Sequence, residues 1–303
     1  MATSTTTAAP ATEHKLLIPD DPPRGGATTT TTTANEQRPL VIFFHGSGGE
    51  SCSPSWDALA TLLASPPHRL RVLLYDRGPG NPKPEEATAD LRAYLERAGL
   101  WVGAGGRRGR PGPYILIAHS YGGAFAREFI RRCGASAVAG AVLVETGQEG
   151  GLDRRVEEEQ RRRCVLGARP LSVVRGNSFL WKWRELEAAE AEAEAEAEAG
   201  SGNGDGATAV AELEQRLRLQ REMLQMSDEE DERLKKGQLA MSKNARYVHV
   251  PDCGHHVIRD RPDIVAAEVF WVLENMEVGK QGQKGEGRLW VRTVGKLRSI
   301  LGR

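Results

Sequence analysis

Short, almost continuous apolar runs alternate along the chain with segments in which apolar positions recur every three or four residues. Apolar runs of this kind are typical of strands buried on both faces of a parallel sheet, and the wider spacing is typical of helices packed on it. The predicted strands are 39–44, 70–75, 114–118, 141–145, 171–174 and 246–250. The predicted helices are 55–65, 85–99, 121–134 and 262–276. Their alternation predicts an α/β fold.

Polar and low-complexity segments flank and interrupt this pattern. Residues 1–37 are rich in Thr, Ala and Pro, and we predict a disordered tail in which only 15–18 could form a strand. Residues 38–277 form the predicted domain, with an Ala/Glu insert at about 185–208. Ala and Glu favour helix while glutamates four apart repel, so we expect a solvated, frayed helix that runs into a Gly/Ser linker. Residues 278–303 are predicted as a linker and a basic tail.

Composition narrows the range of functions. With 303 residues and 39% hydrophobic content, the chain can bury one sizeable core. The 41 basic and 41 acidic side chains balance, which argues against a nucleic-acid partner. With no basic, apolar leader and no run of about 20 apolar residues, we expect a cytoplasmic protein. The four cysteines are widely spaced and suggest neither a zinc site nor a disulfide framework: Cys52, Cys133, Cys164 and Cys253.

Ser120 lies where a buried predicted strand meets a helix with a glycine-rich first turn. The local sequence is Ala118-His119-Ser120-Tyr121-Gly122-Gly123. Such a corner is typical of a nucleophile elbow, in which crowding allows only Gly or Ala two positions before and after the serine. An ordinary serine N-cap is the alternative.

A serine hydroxyl is a weak nucleophile until a base takes its proton. His255 follows Gly254 between the last predicted strand and the last predicted helix, and we predict it as the base. The adjacent His256 is a second candidate, and a purely structural histidine pair is the alternative.

The third member of a triad is a carboxylate at a strand end, where it orients the imidazole. The strand at 171–174 is followed by no Asp or Glu before Glu185, only by the neutral Asn177. The strand before it ends in Glu145, our predicted acid, with Glu149 as the fallback. A capping or surface role for Glu145 is the structural alternative.

A loop of glycines follows the first core strand, in the sequence His45-Gly46-Ser47-Gly48-Gly49. Charge that develops on a substrate oxygen needs preorganised donors, and we predict the main-chain amides of Ser47 and Tyr121 as the oxyanion hole. A flexible turn without this role is the alternative.

With these features in this order, the chain resembles the serine hydrolases of the α/β-hydrolase superfamily over about residues 38–277. The stretch LLYDRGPGNP at 73–82 is similar to the Asp-Arg-x-Gly-x-Gly loop that precedes the elbow in many members. The resemblance implies a mostly parallel, eight-stranded sheet flanked by helices, a helical cap, catalysis through an acyl-enzyme, and neither cofactor nor metal. The chain departs from the family in its Ala118, in its enlarged insert, and in the absent carboxylate after the penultimate strand.

Because the nucleophile is serine rather than aspartate, acyl transfer to water is favoured over dehalogenation or epoxide opening. We predict a carboxylesterase-like enzyme that cleaves a small to medium, partly apolar ester. Its pocket would be roofed by residues 146–169 and 178–243, with the stretch SFLWKW at 178–183 near the mouth. The alternative is a catalytically weak protein that binds a ligand in the same pocket.

The C-terminal segment 288–303 carries apolar residues on one helical face and basic residues on the other. A basic amphipathic helix can lie on an anionic membrane surface, so weak membrane contact is one expectation for this segment. Packing of the apolar stripe against the protein's own body is the alternative.

Overall fold

A computed structural model describes residues 14–19, 38–47, 54–78, 82–101, 113–147, 153–199 and 204–276. Its strands are β1 Lys15–Leu17, β2 Leu40–Phe44, β3 Arg71–Tyr75, β4 Tyr114–His119, β5 Val138–Val144, β6 Gly167–Arg175 and β7 Ser242–His249. Its helices are α1 Pro54–Ala64, α2 Pro84–Arg97, α3 Gly122–Cys133, α4 Arg154–Arg162, α5 Leu180–Ala199, α6 Gly204–Gly237, α7 Val257–Asp260 and α8 Pro262–Asn275.

The strands form one sheet in the order β1-β3-β2-β4-β5-β6-β7. Strands β2 to β7 are parallel, and β1 pairs with β3 in the antiparallel direction. This sheet, with helices on both faces, confirms the predicted fold class. The described residues contain seven strands rather than the eight expected.

Strand β1 lies within the segment 1–37, in which the only strand expected was at 15–18. It adds Lys15–Leu17 to the outer edge of β3, where Leu16 pairs with Leu73. The rest of that segment and the predicted basic tail at 288–303 lie outside the described residues. No helix in the described part of the chain has the length and apolar character needed to cross a membrane.

Alternate side chains of each strand enter separate cores, one on each face of the sheet. Val41 and Phe43 pack with residues of α1 and α8, whereas Ile42 and Phe44 pack with residues of α2 and α3. Because both faces are covered, a strand gains by being apolar at every position, and each fully buried large side chain contributes about 1.5–3 kcal/mol. The two-sided burial explains the continuous apolar runs in the sequence.

The Ala/Glu insert forms most of α5, which packs against α6 as a helical hairpin. Leu186 and Ala193 of α5 are buried with Leu217 and Leu224 of α6. Members of each pair are seven residues apart, so they lie two turns apart on one face of their helix. The expectation of a fully solvated helix was therefore wrong for one face, because alanine and leucine at this spacing give α5 a narrow apolar stripe.

Three of the cysteines lie in the described residues as free thiols, Cys133, Cys164 and Cys253. Cys253 is buried, and the other two are partly exposed. Cys52 lies outside the described residues.

Gly122, in the first turn of α3, is expected to be intolerant of any side chain. A Cβ there would lie 2.0 Å from the Phe44 carbonyl oxygen and 2.8 Å from the His45 oxygen. Because these contacts are to backbone, Gly122→Ala should lower the free energy of unfolding by at least about 2 kcal/mol in urea titrations.

The matched control is Gly237→Ala at the end of α6, where the backbone is helical and a Cβ would meet nothing within 4 Å. That change should be neutral or stabilise by up to about 1 kcal/mol. Equal effects of the two substitutions would contradict the packing described for α3.

Candidate active site

The candidate residues all follow the carboxyl ends of parallel strands. The chain places β3 on one side of β2 and β4 on the other, so the connections diverge at the carboxyl ends of β2 and β4. Ligands of open α/β sheets bind in the crevice at such a switch point. Gly46 follows β2 and Ser120 follows β4, and a Cβ on Gly46 would lie 3.2 Å from the Ser120 Cβ.

Ser120 has the strained backbone conformation that a nucleophile elbow requires. Its φ is 51°, a left-handed value that is unfavourable for a residue with a side chain. The neighbouring strand and helix maintain this conformation, because the Ser120 amide donates to the Val144 oxygen at 3.1 Å and the Gly123 amide donates to the Ser120 oxygen at 2.9 Å. The side chain is partly exposed at the sheet edge.

Glu145 and His255 are in direct contact. His255 Nδ1 lies 3.1 Å from Glu145 Oε2, and 110 positions separate the two residues in the sequence. Strand β5 ends one residue before the predicted boundary, and Glu145 occupies the following corner with φ of 53°. The Glu145 side chain is fully buried, whereas that of His255 is 37% exposed. With the proton on Nδ1, the imidazole donates to the carboxylate and presents Nε2 as the free base.

Four groups surround the Glu145 carboxylate. The Gly176 amide donates to Oε1 at 2.7 Å, and Lys235 Nζ lies 3.5 Å from the same oxygen. The Ser178 hydroxyl donates to Oε2, beside His255. Burial raises the pKa of Glu145, but the His255 hydrogen bond, the Lys235 charge and the Ser178 hydrogen bond outweigh it and lower the pKa from the usual 4.5 to about 2. Glu145 is therefore a carboxylate at every pH at which the protein is expected to work.

The other sequence candidates for the acid and the base have different surroundings from Glu145 and His255. Asn177 Oδ1 accepts from the Phe179 amide at 3.1 Å and so stabilises the turn before α5. His256 is exposed and begins α7, whereas its neighbour His255 contacts the carboxylate. Glu149 lies outside the described residues.

Ser120 and His255 are close in the fold, because His119 joins them. The ring of His119, the residue before the serine, has its centroid 4.9 Å from that of His255. In the described residues the hydrogen bonds of the His255 ring run to Glu145 and Ser178, and none runs to Ser120. Hydrogen bonds of this kind are often long without substrate and tighten only in the complex.

The turn that carries His255 is attached to the ends of β4 and β6. The Asn177 amide donates to the Cys253 oxygen at 2.7 Å, and a Cβ on Gly176 would lie 2.5 Å from the Gly254 oxygen. His119 Nε2 lies 2.9 Å from the His255 carbonyl oxygen and donates to it. Burial lowers the pKa of His119 to about 4, so this ring is neutral near pH 7 and acts as a hydrogen-bond donor.

Arg77 holds the predicted oxyanion loop. Its guanidinium donates to the His45 oxygen at 2.5 Å and to the Gly46 oxygen at 2.8 Å. The Gly46 carbonyl and the Ser47 N–H belong to one planar peptide group, so fixing the first sets the direction of the second. Burial lowers the pKa of Arg77 to about 10, and the cation remains charged at neutral pH over the Phe125 ring.

The second predicted donor, the Tyr121 amide, precedes α3. Amides at a helix start have no partner within the helix, and they point towards the site of an incoming anion. Ser47 is exposed on the neighbouring loop. No group of three or more His, Cys, Asp or Glu side chains in the described ranges is arranged to hold a metal ion.

The aromatic stretch at 178–183 divides between two environments. Phe179 and Trp183 pack against the small core of the α5–α6 hairpin. Trp181 is 69% exposed, and its indole N–H donates to Glu185 at 2.6 Å. Of these three, Trp181 is the exposed one, and the other two are partly buried.

Three contributors to the site were missed in the sequence. Ser178 lies after β6, where the sequence lacks a carboxylate, and that absence was the available signal. Lys235 is part of an amphipathic helix whose sequence carries many charges, so nothing distinguished it. Arg77 was noticed only as part of a loop resemblance, because its contact with the glycine loop joins residues 31 and 32 positions apart.

The low pKa of Glu145 predicts a specific acid sensitivity. Its folded-state pKa of about 2 is below the usual 4.5, so ionised Glu145 stabilises the fold above about pH 4.5, and this contribution is lost as the pH falls towards 2. Between pH 7 and pH 3, the free energy of unfolding should fall by about 2 kcal/mol more in the wild type than in Glu145→Gln. Urea titrations at several pH values measure the difference.

The control for this measurement is Glu230→Gln, which changes an exposed carboxylate on α6. Its acid sensitivity should match that of the wild type. Indistinguishable pH profiles for the wild type and Glu145→Gln would contradict the buried, ionised carboxylate.

Comparisons with known proteins place this geometry in a family. A model described as the alpha/beta hydrolase family matches residues 41–268. No curated protein matches the chain. Similar solved structures include a thermophilic esterase from Thermogutta terrifontis, with 17% identity, 90% of this chain and 97% of that chain covered, and a TM-score of 0.45. Est1E from Butyrivibrio proteoclasticus is 13% identical, with 86% of this chain and 93% of that chain covered and a TM-score of 0.48.

MenH from S. aureus is similar at 12% identity, with 87% of this chain and 98% of that chain covered and a TM-score of 0.46. At such identities and scores these structures carry no argument about substrate. The family model, in contrast, spans well over half of the chain and includes all but the first residue of β2, the strands β3 to β7, and the Ser120, Glu145 and His255 positions. The chain therefore belongs to the alpha/beta hydrolase family.

Proposed function

We propose that the protein is a serine hydrolase that cleaves a small to medium, partly apolar ester through an acyl-enzyme. Ser120 is the nucleophile, His255 the general base and Glu145 the acid that orients it. The observation that carries the proposal is the 3.1 Å contact between His255 and the buried Glu145, next to a serine with φ of 51°.

The reaction follows from these positions. His255 Nε2 takes the proton of Ser120 Oγ as the oxygen attacks the ester carbonyl, and the imidazolium then forms beside the Glu145 carboxylate. The Ser47 and Tyr121 amides donate to the oxyanion of the tetrahedral intermediate. His255 next gives its proton to the departing alkoxide, which leaves the acyl group on Ser120. Water attacks this acyl group with His255 again as the base, and the free acid and Ser120 are restored.

An apolar part in the substrate is supported by the surroundings of the site. The exposed Trp181 lies three residues after Ser178, and Ser178 Oγ lies 3.3 Å from His255 Nδ1. Aromatic surface beside a small number of polar groups is typical of small-molecule sites.

A ligand-binding protein with negligible turnover is the second candidate. It would use the same cleft without a covalent step on Ser120, and in the described residues the contacts of the His255 ring run to Glu145 and Ser178. The two candidates differ in what Ser120 does to an activated acylating or phosphonylating reagent.

Labelling with a fluorophosphonate tests the nucleophile directly. We expect intact-protein mass spectrometry to show one adduct on the wild type, on the peptide that contains Ser120, and none on Ser120→Ala. The wild type should also release a burst of p-nitrophenol from p-nitrophenyl acetate, and Ser120→Ala should lower kcat by at least about 10³-fold.

Ser178→Ala is the matched control, since it removes the other serine hydroxyl near His255. This variant should still be labelled, with kcat reduced by about tenfold because one hydrogen bond to Glu145 is lost. Absence of labelling in a folded wild type would favour the ligand-binding candidate. Labelling that disappears in Ser178→Ala but persists in Ser120→Ala would show that Ser120 is not the nucleophile.

A further inference from the structure

Helix α6 places a buried lysine against the triad acid. The Lys235 side chain is 2% exposed, and its Nζ lies 3.5 Å from Glu145 Oε1. Burial of an ammonium group is costly unless it is paired, and an exposed position is available one residue on, at Lys236. The lysine at 235 is therefore held in the interior by its carboxylate partners.

Lys235 connects Glu145 to a chain of buried charges. It pairs with Asp231, one turn earlier on α6, and Asp231 Oδ2 accepts from Arg175 Nε at 2.9 Å. Arg175, the last residue of β6, also pairs with Asp228 at 2.5 Å. Glu145, Lys235, Asp231 and Arg175 all have side chains no more than 3% exposed, and their formal charges sum to zero.

The two Glu145 oxygens thus face different partners. Oε1 faces Lys235 and the Gly176 amide, and Oε2 faces His255 and Ser178. A positive charge on the Oε1 side stabilises the carboxylate but opposes protonation of the imidazole on the Oε2 side. Asp231 has the reverse effect, because its negative charge offsets that of Lys235.

We propose that Lys235 and Asp231 are positioning residues of α6 that set how strongly Glu145 holds the proton of His255. Neither touches the reacting atoms, and both act through the Glu145 carboxylate. The α5–α6 hairpin therefore contributes to the chemistry of the site as well as covering one side of the domain. The inference rests on the proposed function only for its catalytic consequence, since the charge coupling itself is independent of turnover.

Other titratable groups also face His255 or the buried charges from the surrounding elements. On the strand ends and loops these are His119, Tyr247, His249, Cys253 and His256, and on the helices they are Asp228, Glu232, Arg259 and Asp260. All of them are unchanged in the variants below, so the comparison isolates the two charges of α6.

The test is an NMR titration of the His255 ring in the full chain, assigned by comparison with His255→Gln. Lys235→Met removes a positive charge, so the midpoint of the His255 titration should rise by about 0.5–1 pH unit. Asp231→Asn removes a negative charge, so the same midpoint should fall by about 0.5 pH unit. Lys236→Met, which removes an exposed lysine from the same helix, should shift the midpoint by less than about 0.2 unit.

Opposite shifts distinguish charge coupling from a purely structural tether, because loss of packing alone has no reason to change sign between the two variants. Shifts in the same direction, or no shift beyond that of Lys236→Met, would overturn the proposal. Each single change leaves one buried charge without its partner. The double variant Lys235→Met/Asp231→Asn removes one positive and one negative charge, so the formal charge of the buried cluster stays at zero. Because Lys235 Nζ lies directly against Glu145, 3.5 Å from Oε1, the double variant should show an upward shift smaller than that of Lys235→Met, and a downward shift or none would also overturn the proposal.

The catalytic consequence is measured separately, from the acid limb of the kcat/KM profile for p-nitrophenyl acetate. That limb should move with the NMR midpoint in each variant. A wild type without turnover would refute the proposed function while the NMR shifts still decide the role of α6. Active variants whose acid limbs do not move would refute the role of α6 while the proposed function stands.

Discussion

The buried carboxylate of Glu145 is the constraint on which the candidate site depends. A fully buried charge is tolerated only where hydrogen bonds and opposite charges compensate for the lost hydration. Here the Gly176 amide, the Ser178 hydroxyl, the His255 imidazole and the Lys235 ammonium supply that compensation from three separate segments, the loop after β6, the turn after β7 and helix α6. The same contacts fix the position of the imidazole, so the stability of the fold at this edge and the geometry of the site have one origin.

The sheet makes this arrangement possible. Pairing of Ala118 with Leu143, Val144 with Val174 and Arg175 with His249 aligns the ends of four strands along one edge. Ser120 and Glu145 occupy equivalent corners after β4 and β5, and each has a left-handed backbone. The cost of two such corners is offset by two-sided burial of the strands below them, which keeps the edge rigid. Reactive groups held on a rigid edge need little further ordering when a substrate binds.

The sequence predicted most of the fold because its strongest signals are local. Continuous apolar runs marked β2 to β7, and three- to four-residue spacing marked α1, α2, α3 and α8. Glycine and small residues around Ser120 and before His255 marked the corners, and elimination among strand ends led to Glu145, which lies in contact with His255. These inferences depend on neighbours in the chain, where crowding and periodicity act directly.

What the sequence did not predict depends on contacts between distant segments. Lys235 and Glu145 meet across 90 positions, and a lysine on a charged helix looks the same whether it faces solvent or a buried acid. Leu186 and Ala193 of the Ala/Glu insert gained an apolar partner only because α6 returns alongside it. The sequence allowed a strand at 15–18, but its antiparallel pairing with the outer edge of β3 depends on a distant segment and was not predicted.

The central claim is that Ser120, His255, Glu145 and the two loop amides converge on one reacting centre. A crystal structure of the protein after reaction with a fluorophosphonate measures that convergence most directly. The account predicts phosphorus bonded to Ser120 Oγ, with the phosphoryl oxygen about 2.7–3.1 Å from the Ser47 and Tyr121 nitrogens and His255 still in contact with Glu145. An adduct whose phosphoryl oxygen points away from both amides, or a His255 ring turned away from Ser120, would contradict it.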